Sequence, residues 1–327
     1  MNTLGKNFVF TSVGESHGKA IGGVLDGVPA GVRVDMEMIR RALDKRAGRT
    51  NPLPEGKGVS PRAKHEKDEV EWLSGVINGV TLGTPIAFII RNADAHSEDY
   101  DWLKHNYRPG HADHTYQEKY GIRDHRGGGR ASARETASRV VAGTIAQQLL
   151  TEKGVQISAR LIQVGGETNP DYFAQYIADI QKEGDSVGGI VECTITGLPI
   201  GVGEPIFDKL QSHLAYAMMS INACKGFEYG SGFEGVTLKG SEMYLSKDQQ
   251  LVSGGIAGGI SDGSPIVFRC VFKPTATNRK TLEALHSTFD SQLSTLKVGR
   301  HDACVAVRAV AVVEAMAALV LQDIFSV

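Results

Sequence analysis

What this 327-residue chain lacks already bounds it. Its four cysteines, Cys193, Cys224, Cys270 and Cys304, are far apart, with no C-x-x-C pair and no metal-like spacing. That excludes a disulfide scaffold and predicts buried thiols in a reducing compartment. The N-terminus has no apolar h-region and no apolar run approaches ~18 residues, so neither secretion nor membrane insertion is expected, and the cytoplasm is the default. A formal charge of −2 lacks the basic excess of a general nucleic-acid binder. There is no internal repeat, low-complexity segment or linker. One interwoven α+β domain over residues 1–327 therefore fits better than two separable ones. No G-x-G-x-x-G follows a strand, so a dinucleotide fingerprint is missing too.

Glycine, by contrast, is abundant: 39 residues, well above the roughly 7% of average usage, which predicts tight turns and close backbone approaches. The chain is organised around Arg126-Gly127-Gly128-Gly129-Arg130-Ala131-Ser132-Ala133-Arg134-Glu135-Thr136. Ser132 followed by Glu135 reads as a capping box, so a helix should begin there. Val141, Ile145 and Leu149 continue it, and Gly154 stops it. A glycine loop entering a helix presents unpaired N–H groups to an anion. Arg126, Arg130 and Arg134 oppose the helix dipole, which favours an anion between them over a solvated basic turn.

Other stretches carry chemistry. A strand over 8–14 delivers Gly14-Glu15-Ser16-His17-Gly18, an acid, a hydroxyl and an imidazole between glycines. His17 is either a reactive group, its ordinary pKa of ~6.5 being near working pH, or a turn histidine with a local bond. A helix capped by Asp35 follows, ending in Lys45 and Arg46, and residues 52–67 read as a surface loop, a candidate lid. Histidines concentrate over 105–125, where His111, Asp113 and His114 suit either metal ligation or acid–base work beside an anion pocket. The flanking Arg108, Arg123 and Arg126 weigh against a cation. Further strands are expected at 84–90, 155–166, 188–195 and 266–272. Helices are expected through Phe173 to Ile180, over 208–221, and up to Phe325, the last too apolar to be anything but buried.

Taken in order, GESHG at 14–18, DGVPAG at 26–31, RPGHAD at 108–113, KYG at 119–121, RGGGRASARET at 126–136, GDSVGG at 184–189, SINACKGFEYG at 220–230, GGIAGGIS at 254–261, KPTAT at 273–277 and GRHD at 299–302 resemble chorismate synthase over nearly the whole chain. The resemblance implies two antiparallel sheets enclosing a helical layer, assembled as a homotetramer. It implies anti-1,4-elimination of phosphate from 5-enolpyruvylshikimate 3-phosphate, with reduced FMN required and no net redox change. It further implies His111 as the histidine that protonates the flavin, His17 as the one at the departing phosphate, and Asp302 as the group assisting proton removal. Ser16, Arg46, Arg134 and Arg300 fall at substrate positions. Arg130, Ala131, Ser132, Asn222, Ala223, Gly258, Lys273, Pro274, Thr275, Ala276, Thr277 and Arg300 fall at FMN positions, and Arg46 at one associated with NADPH.

The chain departs from the family pattern at Ala131, usually serine; at Leu251-Val252, usually an asparagine pair; at Ala47-Gly48-Arg49, usually Arg-Pro-Gly; and at Ala311, often proline. The missing dinucleotide fingerprint favours an external flavin reductase over NADPH bound to this chain. Competing readings are a metal-dependent phosphohydrolase, a non-catalytic phosphate-binding module, and an Arg/Gly-type RNA binder. The acidic balance and the lack of an aromatic stacking array oppose the last.

Overall fold

A computed structural model of the chain describes residues 1–49, 68–92, 97–245, 252–281 and 302–325. Alternating burial marks the strands as half-exposed ladders. Those before residue 92 are β1 (Thr3–Leu4), β2 (Val9–Gly14), β3 (Ala20–Asp26), β4 (Ala30–Arg33), β5 (Val70–Ser74), β6 (Val76–Ile77), β7 (Val80–Leu82) and β8 (Ile86–Arg91). Five of them form an antiparallel sheet in the order β1-β2-β3-β8-β5, and β4-β7-β6 form a small side sheet. On β8, Ile86, Phe88 and Ile90 face inward while Arg91 faces out, the period of two expected of a sheet with one face on the core. Gly22 and Gly23 on β3 admit their neighbours: a Cβ at Gly23 would lie 2.3 Å from the Phe10 ring.

The second sheet comes from later sequence: β9 (Gln156–Val164), β10 (Gly189–Thr196), β11 (Cys224–Tyr229) and β14 (Ile266–Phe272), with β12 (Ile256–Ala257) and β13 (Ile260–Ser261) forming a separate two-stranded pair. The sheet is antiparallel in the order β11-β14-β10-β9. The stretch GGIAGGIS becomes the β12–β13 hairpin. Its two-residue turn, Gly258-Gly259, has φ +63° and +104°, a left-handed pair that glycine adopts without steric cost.

The described helices are α1 (Met36–Arg46), α2 (Asp113–Tyr120), α3 (Thr136–Glu152), α4 (Pro170–Lys182), α5 (Leu210–Met219), α6 (Gly240–Leu245) and α7 (Ala306–Phe325). Helix α3 packs on β2, β3 and α7; α7 packs in turn on β9 and β10, and α1 leans on both helices. The layers therefore run sheet, helices, sheet, as the resemblance implies. Both central helices are buried nearly all round, so their sequences lack a polar stripe. Gly143 of α3 lets them meet, since a Cβ there would lie 2.4–2.5 Å from Ala315.

Charges within this layer are tied down. Glu314 accepts from Lys45 Nζ and from the Ala159 N–H, both at 2.6 Å, joining α7 to α1 and β9. Asp323 Oδ1 accepts the N–H groups of Lys6, Asn7 and Phe8 at 2.7, 2.6 and 2.9 Å, locking the end of α7 to the start of the chain. All four thiols are buried and free, and burial pushes Cys304 up to about 11. No described helix is long and apolar enough to cross a membrane.

Candidate functional site

Gly127, Gly128 and Gly129 all have positive φ, +62°, +95° and +54°. They are also spaces that other parts of the chain fill. A Cβ at Gly127 would lie 2.1 and 2.4 Å from Cδ2 and Nε2 of His17, and one at Gly128 would lie 2.7 and 3.0 Å from Cε1 and Nε2 of His111. Successive peptide units of one loop thus seat the two histidines that are 94 residues apart in sequence. His17 is 5% exposed, with the Tyr100 ring edge-on at 4.7 Å. Ser16 is 6% exposed, and its Oγ finds no hydrogen-bond partner among the described residues.

Around His111, Asp113 is saturated. Its Oδ2 accepts the Arg108 N–H at 3.0 Å and Nε–H at 2.8 Å, and its Oδ1 accepts Arg108 Nη2–H at 2.8 Å and lies 2.9 Å from His111 Nδ1. Burial alone would raise this carboxyl, but the Arg108 fork and the imidazole outweigh it and hold it well below the usual carboxylate range. Arg108 thus occupies both oxygens of Asp113, and among the described residues no group of three or more His, Cys, Asp or Glu side chains is placed to hold a metal ion. Glu15, beside Gly129, is raised by burial and by the nearby Asp124, against a lowering pull from Arg130.

The three loop arginines do not converge on an open anion site. Arg126 grips Asp124 with two bonds, at 2.8 and 2.9 Å. Arg130 donates to Gly14 O at 2.8 Å and Ser12 Oγ at 2.7 Å. Arg134 donates to Asn92 Oδ1 at 3.0 Å and pairs with Asp68. The cost of cations at a helix start is met by these partners, Asp124 of the same loop together with groups on β2 and beside the ends of β5 and β8, rather than by a ligand alone. Arg46, expected at substrate phosphate or NADPH, is 1% exposed. It donates to Thr136 Oγ1 at 3.0 Å and Ala133 O at 2.8 Å, bracing the first turn of α3. The capping box also differs from expectation. Ser132 Oγ accepts from Arg134 N at 3.3 Å, opening a 3-10 turn over Ala133–Glu135, but Glu135 turns to Arg139 at 2.9 Å instead of reaching back.

The remaining motifs connect through contacts. Lys273 Nζ donates to Gly110 O at 2.8 Å, and a Cβ at Gly110 would lie 2.8 Å from Ala276. Thr275 Oγ1 donates to Asp302 O at 2.9 Å and accompanies Pro274 and Thr277 in the turn after β14. Asp302 itself pairs with Arg308 at 2.9 Å. Lys273 N–H donates to Ala223 O at 3.0 Å, and Ala223 holds a left-handed φ of +68°, rare for a residue with a Cβ. Beside it, Asn222 Nδ2 is buried without a partner among the described residues. A continuous path therefore runs from His17 through Gly127, Gly128, His111 and Gly110 to the KPTAT turn, Asp302 and Asn222.

Gly258 is not on that path. Gly259 O accepts the Leu210 N–H at 2.8 Å, placing this hairpin at the start of α5, whereas Asn222 follows the end of that ten-residue helix, about 15 Å away along its axis. Arg300, Leu251 and the 52–67 loop lie outside the described residues. Three contributors had no local signal: Asp68, Tyr100, and Asn92, whose Nδ2 donates to Glu15 O at 3.0 Å and Gly18 O at 2.9 Å and pins the GESHG turn. Asp68 and Asn92 flank the ends of β5 and β8 and Tyr100 lies within a 3-10 helix over Ser97–Lys104, each a single polar residue recognisable only once the chain has folded.

Comparison with known proteins identifies the family. The family model described as chorismate synthase matches residues 8–325. A chorismate synthase of Christiangramia forsetii is 49% identical, covering 99% of this chain and 97% of that relative. One from Bacteroides thetaiotaomicron is 46% identical with the same coverage. A crystal structure of a chorismate synthase superposes with a TM-score of 0.73 at 29% identity, over 98% of this chain and 92% of that one. With a family model matching residues 8–325 and full-length relatives 46–49% identical, the chain belongs to the chorismate synthase family of phosphate-eliminating lyases.

Proposed function

We propose that the path from His17 to Asp302 is where the chain converts 5-enolpyruvylshikimate 3-phosphate to chorismate and phosphate. The observation that carries this reading is the seating of His17 and His111 against adjacent glycines. It gives two imidazole Nε2 atoms within reach of one small molecule. In this reading His17 holds a proton at Nε2 for the departing phosphate, and His111 holds one at Nε2 for the flavin. Asp302, held in place by its ion pair with Arg308, assists loss of the ring hydrogen. Ser16 Oγ, buried and unsatisfied, orients the substrate. A buried polar atom left unpaired costs about 1–3 kcal/mol, which a ligand oxygen would recover.

The family uses reduced FMN, and the residues fit it. Asn222 Nδ2 has no partner among the described residues, Ala223 beside it holds a left-handed φ of +68°, and Lys273 of the KPTAT turn donates its N–H to Ala223 O. The lost hydrogen is poorly acidic, so general base catalysis, worth about 10²–10⁴-fold, does not suffice; reduced flavin, when bound, supplies reversible electron donation. Arg46, sealed behind Thr136, supports flavin reduction by an external reductase rather than by NADPH held at that residue. Gly258, a helix length from Asn222, supports a homotetramer in which a neighbouring copy brings its hairpin to the site.

The test is an anaerobic assay of phosphate release. Release is expected with reduced FMN, absent with oxidised FMN, and supported by NADPH only when a flavin reductase is added. Flavin-independent release would sink the reading. Light scattering is expected to give about four times the 35.1 kDa chain mass; a stable monomer with full activity would remove the tetramer from the argument.

A further inference from the structure

We propose that Asp113 is a positioning residue for His111, fixing the imidazole with its proton on Nδ1 and its Nε2 turned to the glycine loop. The inference rests on the role given to His111 above. Asp113 is 4% exposed and both its oxygens are used, three of its contacts coming from Arg108 and the fourth from His111 Nδ1. Arg108 Nη2 also lies 3.1 Å from His111 Nδ1, so two neighbours compete for that nitrogen. A guanidinium only donates, and an ionised carboxylate only accepts. With the carboxylate present, Arg108 Nη2–H is engaged on Oδ1, and Nδ1–H donates to that same oxygen at the shorter distance of 2.9 Å.

Without the carboxylate, the arginine donates to a bare Nδ1 and the ring proton moves to Nε2. The choice matters because Nε2 is the atom at the loop, 3.0 Å from where a Gly128 Cβ would stand. A doubly protonated ring gives up its Nε2 proton there and returns to the neutral Nδ1–H form, ready to take up the next. The wrong tautomer blocks that return, an effect known to be large in other His–carboxylate pairs.

Nitrogen-15 NMR of the full-length, histidine-labelled protein, with His111 assigned by difference against His111→Asn, reads the tautomer directly. The Nδ1–H form is expected in the unmodified protein and the Nε2–H form in Asp113→Asn. In that variant kcat with reduced FMN should fall at least about tenfold, with substrate KM and FMN Kd within about threefold. A merely structural role would move KM and the unfolding midpoint without moving the proton. An Nε2–H tautomer in the unmodified protein overturns the proposal, even if Asp113→Asn does not fold. So does an Asp113→Asn variant that keeps both tautomer and kcat. If His111→Asn also keeps its turnover, the role of His111 itself is wrong; if His111→Asn loses turnover while Asp113→Asn keeps it, only the positioning inference fails.

Discussion

Individual side chains do their work here through what lies opposite them. His17 and His111 are equivalent in kind, yet one is edged by Tyr100 and the other is held by Asp113 and Arg108. We expect His17→Ala and His111→Ala each to lose at least about tenfold in turnover while keeping FMN binding. Flavin fluorescence titration and the phosphate-release assay check this. Near-normal turnover in both variants would remove them from the chemistry. Both were singled out as candidates by their motifs, GESHG and RPGHAD. Their partners were less legible: Asp113 suited a metal on residue type alone, and only the fold shows Arg108 gripping it.

At the scale of elements, periodicity was a good guide wherever one face meets water. Helix α1, its cap at Asp35, and strands β8, β10 and β14 fall where alternation and spacing put them. Burial defeats that logic in the centre, since α3 and α7 have no wet face to reveal their orientation. Their contact depends on Gly143. Gly143→Ala should destabilise the protein by about 1–3 kcal/mol, because overpacking at a helix crossing forces the helices apart. Urea unfolding measures it; an unchanged midpoint would mean that the helices can separate at no cost. The same variant should leave the GESHG and RPGHAD turns in place, since neither packs on that crossing.

Across the whole molecule, acid stability follows from the buried carboxylates. Asp113 and Asp124 titrate below their ordinary range, the first because Arg108 and His111 outweigh its burial, the second because Arg126 does. A carboxyl with a depressed folded pKa contributes stability that is fully present above its unfolded value of ~3.9 and is lost as the pH falls below it. Glu15, raised by burial, acts in the opposite sense: its contribution declines as the pH rises through ~4.3 towards its folded value. Urea midpoints should therefore drop steeply below about pH 4, and Asp113→Asn, though less stable near neutrality, should show a flatter acid limb. Equal acid limbs would mean that the Arg108 clamp is not formed in solution.

By itself the sequence determined the reaction class, through ten ordered motifs, and the positions of the ordinary strands and helices, through local periodicity and glycine punctuation. Only the tertiary structure decided which charges are available. Arg46, Arg126, Arg130 and Arg134 look alike as letters, yet Arg126 is held by Asp124 two residues away while Arg46, Arg130 and Arg134 are committed to partners from other parts of the chain. Ser16 Oγ and Asn222 Nδ2, by contrast, are buried polar atoms with no hydrogen-bond partner among the described residues. The reason is physical: hydrogen-bond satisfaction is a long-range property, set by which buried groups the layers press together, and no window of neighbouring residues contains that information.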